Sequence, residues 1–131
     1  MMSHTFKVLL SISILMAIIL GSSFISQSIL FKTASELETE LSEVENNTVS
    51  NNWDEAKSSL KKVREKWSGA KKIWAVLIDH MEIDNIDISM TRVEKYILCK
   101  DTSSALAEAS ALMKYIRHIP RKEALNMENV F

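Results

Sequence analysis

The chain has 131 residues, room for one domain and an anchoring or targeting segment. Sixteen basic and seventeen acidic side chains leave a net charge of −1, which argues against a nucleic-acid binder, since such proteins carry a strong basic excess. Two glycines and one proline are too few for a fold rich in special turns, so long helices with few connections are expected.

Residues 1–7 read as a short cytoplasmic tail. From Val8 to Phe31 no side chain is charged, and a helix needs about 20 predominantly apolar residues to cross a bilayer. Fourteen of these side chains are Val, Leu, Ile or Phe, opposed by six serines and Gln27. Residues 8–31 are therefore expected to form a transmembrane anchor contacting lipid. A cleaved signal peptide is the alternative, with Lys7 as the positive start, Val8–Leu20 as the apolar middle and Gly21-Ser22-Ser23 as the cleavage site. Retention is preferred, because Phe24, Ile25, Ile29, Leu30 and Phe31 follow that site and a mature N-terminus would expose them to water without gain. Lys7 precedes the run and Lys32 follows it. That slight bias puts the short tail in the cytoplasm and the bulk of a single-pass protein outside the cell membrane. Ser13, Ala17 and Gly21 recur every four residues. They offer a close-approach face for a homodimer, or merely fill lipid-facing positions.

After Lys32 the pattern becomes amphipathic. Leu37, Leu41 and Val44 share a stripe among glutamates, expected as a helical stalk over 32–50 that the polar run Asn46–Asn52 breaks. Asn52 with Glu55 three residues later resembles a helix start. Trp53, Ala56, Leu60, Val63, Trp67, Ala70, Trp74, Leu77 and Met81 then step by threes and fours, the spacing of a packing seam more than of a ligand-binding face. Lys57, Lys61, Lys62, Arg64, Lys66, Lys71 and Lys72 on this helix read as a solvated face whose stems cover the seam edges, ahead of an anionic headgroup or acidic-partner contact.

Past His80, among Glu82, Asp84 and Asp87, a bend or short turn is expected, with a glycine-free helix running straight through as the alternative. Ile83, Ile86, Met90, Val93 and Ile97 form the next stripe, Asp101 suits an N-cap, and Ala105, Ala109, Leu112, Ile116 and Ile119 form a third. The alanines of that third stripe are expected to face the indoles. Cys99, the single cysteine, excludes an internal disulfide and a cysteine-rich metal site. Near Ile97 and Leu98 it is expected to be a small buried hydrophobe. Pro120 is expected to end the last helix, leaving a short final turn with apolar Leu125, Met127, Val130 and Phe131. The fold class is all-α: an N-terminal transmembrane helix followed by a small antiparallel helical bundle over residues 51–131.

Chemistry is harder to find. His80 and Asp84 lie four apart, with Glu82, Asp87 and His118 elsewhere, but the Glu-x-x-His and His-Glu-x-x-His patterns are missing. The polar residues at the bend read better as caps and ion pairs than as metal ligands. There is no glycine-rich phosphate loop and no nucleophile elbow. No catalytic, cofactor-binding or metal residue is assigned, and the chain is expected not to be an enzyme.

His80-Met81-Glu82-Ile83-Asp84-Asn85-Ile86, Arg92-Val93-Glu94-Lys95-Tyr96-Ile97, His118-Ile119-Pro120 and Leu125-Asn126-Met127-Glu128-Asn129-Val130-Phe131 together resemble domain of unknown function 4363. That family comprises small, singly anchored proteins of clostridia and related bacteria, and the resemblance extends over nearly the whole chain. It implies a membrane location and a helical domain, and carries no functional residues. The leading expectation is a non-enzymatic structural or interaction module that docks a protein partner at the outer face of the cytoplasmic membrane. An accessory ligand-sensing bundle is the alternative, and a metal-dependent hydrolase a distant third.

Overall fold

Between Ser3 and Ser50 the sequence holds no proline, and its one glycine, Gly21, has helical neighbours throughout. With nothing to interrupt the hydrogen-bond ladder, α1 runs unbroken from His4 to Val49, 46 residues and about 69 Å at the rise of an α-helix. In the computed structural model, which describes residues 1 and 3–130, three further helices follow: α2 (Trp53–Leu77), α3 (His80–Leu98) and α4 (Thr102–Val130). Of Val130 only the backbone is described, and Phe131 lies outside the described residues.

The C-terminal half of α1 and the three other helices make an antiparallel four-helix bundle. α1 packs on α2 and α4, α3 packs on the same two, and α2 faces α4 across the diagonal. Inter-helix pairs fix the register. From α1 to α2 these run Asn47–Ser59, Glu40–Lys66 and Thr33–Trp74. From α1 to α4 they run Glu45–Ser110, Glu38–Arg117 and Gln27–Met127. In both series one number falls as the other rises, as antiparallel neighbours require.

All the described positions of the three expected stripes beyond the tryptophan seam are buried: Leu37, Leu41 and Val44; Ile83, Ile86, Met90, Val93 and Ile97; Ala105, Ala109, Leu112, Ile116 and Ile119. On α2, Ala56, Leu60, Val63, Trp67, Ala70 and Trp74 are buried, while Trp53 and Leu77 are partly buried against the core. Each fully buried Val, Leu, Ile or Met among them contributes on the order of 1.5–3 kcal/mol relative to exposure, and each alanine less.

The structure departs from the sequence reading at several places. Residues 32–50 are not a free stalk, because Leu30, Ala34, Leu37, Leu41, Val44 and Thr48 are core residues of the bundle's first helix. A lone stalk would have left that stripe in water. The polar run does not break the helix at Asn46. Thr48 instead donates its hydroxyl to the Val44 carbonyl, 2.7 Å, and Asn47 donates its side-chain amide to Ser59, 3.2 Å, so groups expected to compete with the helix are used inside it. The turn falls at Ser50–Asn52. The next break falls at Ile78 and Asp79, before His80, with the Asp79 carboxylate accepting from the Met81 amide at 3.0 Å. Met81 therefore belongs to α3 and is exposed, not the end of the tryptophan seam.

Pro120 does not end α4; it lies inside the helix and is buried. Residues 122–130 continue as helix where a short turn was expected. Packing beyond the proline outweighs its missing N–H: Met127 meets Gln27, and Lys122 pairs with Glu82 at 3.0 Å. Cys99 is exposed, not buried, because it caps the C-terminus of α3 beyond the last core position, Ile97. The alanines of α4 do not face Trp67 or Trp74. They sit diagonally opposite α2 and near the start of α4, at the end of the bundle away from Trp67 and Trp74.

Both turns at that far end have one form. At the first, the Asn51 amide donates to Thr48 and the Asn52 amide to Asn47; at the second, Lys100 donates to Ile97 and Asp101 to Tyr96. This paired pattern closes a helix on a left-handed residue, here Asn51 and Lys100, each with φ 55°. The Thr102 hydroxyl and the Asn51 side chain join the two turns at 3.0 Å.

Candidate functional site

The first feature is the N-terminal part of α1. From His4 to Ser22 every residue is exposed, and the helix is long and apolar enough to cross a membrane, with none of its apolar window inside the bundle. Its serines are less costly to hydrocarbon than their number implies. Ser11, Ser22 and Ser26 donate their hydroxyls to the carbonyls of Lys7, Ile19 and Ser22, each at 2.9 Å, satisfying the donors within the helix. Ser13, Ala17 and Gly21 lie along this exposed part, and a Cβ built on Gly21 meets nothing within 4 Å.

The second feature is the polar edge of the tryptophan seam. Trp67 and Trp74 meet edge to face, with centroids 5.4 Å apart and planes at 86°, a favoured arrangement for aromatic pairs. The Trp67 indole donates to Asp87 at 2.7 Å, and Lys71 donates to the other oxygen of that carboxylate. The Trp74 indole donates to Thr33 at 2.7 Å. Both buried donors are thereby satisfied. These contacts are structural, since each group's capacity is used within the bundle. Among the α2 cations, Arg64 pairs with Glu94 at 2.8 Å and Lys66 with Glu40 at 3.2 Å. Lys57, Lys61, Lys62 and Lys72 are exposed.

The third feature is an open groove of about 530 Å³ between α1 and α4, where Ser110, Lys114, Arg117, His118 and Arg121 of α4 face Ser42 and Glu45 of α1. Its cationic character is partly offset, because Arg117 donates to Glu38 at 2.9 Å. Among the described residues, no polar side chain lining this groove is buried, so none is fixed in place to orient a ligand. His80 and Asp84 are both exposed on α3, and His118 is on α4. Among the described residues no group of three or more His, Cys, Asp or Glu is placed to hold a metal ion.

The fold and these features define an all-helical bundle with one protruding apolar helix. Within that class, the sequence model of domain of unknown function DUF4363 matches residues 24–130, and the chain belongs to that family. The match takes in the whole bundle, including the half of α1 that packs in it, and starts beyond most of the apolar run. The resemblance seen in the sequence is thus borne out for the bundle. No curated protein and no solved structure matches the chain at a significant level.

Proposed function

We propose that the chain is a non-enzymatic interaction module, held to the cell membrane by the apolar part of α1 and presenting its bundle to a protein partner on the outer face. The observation that carries this reading is the exposure of an entire uncharged, apolar helical segment, which water would disfavour and hydrocarbon would not. At about 25 cal/mol per Å² of apolar surface, leaving such a segment in water is costly. Support for a binding role over catalysis comes from the polar side chains beside the tryptophan seam, where Asp87, Lys71 and Thr33 are engaged in hydrogen bonds and ion pairs within the bundle. A homodimer through Ser13, Ala17 and Gly21 is compatible with the open space beside Gly21.

Carbonate extraction of native membranes tests the anchor, and retention of the full-length chain in the pellet is the expected result. Crosslinking in the same membranes, followed by purification through the bundle, tests the partner. Reproducible enrichment of one protein is expected, and enrichment of none would overturn the docking role.

A second reading, a secreted bundle cut after Gly21-Ser22-Ser23, draws on the start of the family match at Phe24. Against it stand Phe24, Ile25 and Phe31, all exposed. The intact mass of the cellular protein separates the two, since loss of the first 20 or so residues supports the secreted form.

A further inference from the structure

The apolar run and the bundle overlap. A span of about 20 residues beginning at Val8 ends at Gln27, yet Ser23, Ser26 and Gln27 are already partly buried and Leu30 is fully buried in the bundle. No linker intervenes, because α1 is continuous across this stretch. The end of the bundle next to the span is therefore held at a fixed height above the hydrocarbon.

The register gives that height. Trp74 is level with Thr33, so the last turn of α2 and the Ile78–Asp79 connection lie level with Ile29 and Phe31. Val76 and Leu77 indeed share a crevice with Ser26, Gln27 and Leu30. Gln27 is level with Met127, which brings Leu125 to the same height. At 1.5 Å per residue these positions lie roughly 3–6 Å beyond Gln27, and the interfacial layer of a bilayer is itself roughly 5–7 Å deep on each side. At this end the bundle carries large apolar side chains that its core does not use: Val76 is 84% exposed, Met81 69% and Leu125 59%. Phe24 and Ile25, 74% and 60% exposed, continue the surface on α1.

We propose that this end of the bundle is a second membrane contact, with Val76, Met81 and Leu125 resting in the interfacial layer beside the span. The inference rests on the anchor reading and adds to it a fixed seating of the bundle on the lipid surface. The occupant is lipid because the apolar helix leaves the bundle from this same end, without a joint that would let the surface stand clear. Attraction to anionic headgroups is not its basis. The charges at this end are mixed: Asp79, Glu123 and Glu128 lie there with Lys32, Lys72, His80 and Arg121, and Lys122 is already paired with Glu82. Burial of apolar side chains in the acyl–headgroup boundary is what holds it.

The test uses the full-length chain in zwitterionic phosphatidylcholine nanodiscs. Cys99, exposed at the far end of the bundle, serves as the remote label. In a Cys99→Ser background, Val76→Cys, Met81→Cys and Leu125→Cys place a polarity-sensitive fluorophore at each contact, and Leu15→Cys places one within the span. Headgroup-borne nitroxide lipids should quench the labels at 76, 81 and 125 and leave the Cys99 label bright, and the emission of the three should be blue-shifted. Quenching at 76, 81 and 125 no greater than at Cys99, with Leu15 quenched by acyl-chain nitroxides, would overturn the seating and keep the anchor. An unquenched Leu15 label would overturn both. Because the three positions are exposed, their folding is checked by matching far-UV circular dichroism and melting to the parent.

Discussion

The indole Nε1 of Trp74 donates a 2.7 Å hydrogen bond to the hydroxyl of Thr33, 41 positions away in the chain. That hydroxyl in turn bonds the Ile29 carbonyl at 2.9 Å within its own helix. One side chain on α1 thus satisfies the N–H of a buried indole on α2, near the point where α1 leaves the bundle. Thr33→Val keeps the shape and removes the acceptor, leaving a buried donor unsatisfied. It should cost about 1–3 kcal/mol in urea unfolding of the detergent-solubilised chain, whereas Thr33→Ser should be nearly neutral. Equal losses for both would show that the hydroxyl is irrelevant.

Asp87 plays the matching part for Trp67, with Lys71 on its second oxygen. Asp87→Ala should destabilise by about 1–3 kcal/mol, and Asp87→Asn, which retains an acceptor, by less. In a Trp67→Phe background the Asp87→Ala cost should shrink, since the donor it served is gone. A double-mutant cycle reads this coupling. Removing either ring outright, as in Trp67→Ala or Trp74→Ala, should cost roughly 3–5 kcal/mol, much of the stability of a small domain.

Lys100 adopts a left-handed conformation, φ 55°, which costs a side chain with a Cβ roughly 1–2 kcal/mol. Lys100→Gly relieves it and gives up some unfolded-state order. A net gain of about 0.5–1 kcal/mol is expected by thermal unfolding. Asn51, at the same φ, should gain less from Asn51→Gly, because asparagine tolerates this region.

Gly69 lies on the exposed face of α2, and a Cβ there meets nothing within 4 Å. Gly69→Ala should therefore stabilise the bundle by about 1 kcal/mol through helix propensity alone. A loss of stability would mean that this face is covered in the native assembly.

Asp101 caps α4, its carboxylate accepting from the Ser104 amide at 3.1 Å. Side-chain and backbone hydrogen bonds from Ser104 hold its pKa below the ordinary carboxylate value. A group depressed on folding stabilises at pH above its unfolded pKa, about 3.9, and that contribution is lost as pH falls through the lower folded value. Asp101→Asn retains a neutral cap, so its melting temperature should fall less steeply than that of the parent below about pH 4.

Periodicity made the bundle legible. Steps of three and four identify which side chains leave water, and the stripes on α1, α3 and α4 are buried as read. Periodicity does not say what a stripe packs against, which is why Leu37, Leu41 and Val44 read as a stalk and the α4 alanines as partners of the indoles. The errors at helix ends have a common physical origin. Local tendencies at Asn46–Val49 and Pro120 oppose helix, and long-range contacts outweigh them: Asn47 with Ser59, and Met127 with Gln27. Cys99 shows the complementary failure, an apolar neighbourhood in sequence one residue past the last turn that faces the core. Thr33 carried no sequence signal, and Asp87 stood out only as one polar residue of an expected bend, because the indole that each one serves lies on another helix.

Because α1 has no joint between its free half and its packed half, the two cannot swivel independently. Whatever fixes the first five turns also constrains which way each face of the bundle points, since the two halves share one continuous helix. A molecule docked on the bundle would meet it at one height and one heading, with a short search for the right pose and little reach beyond it.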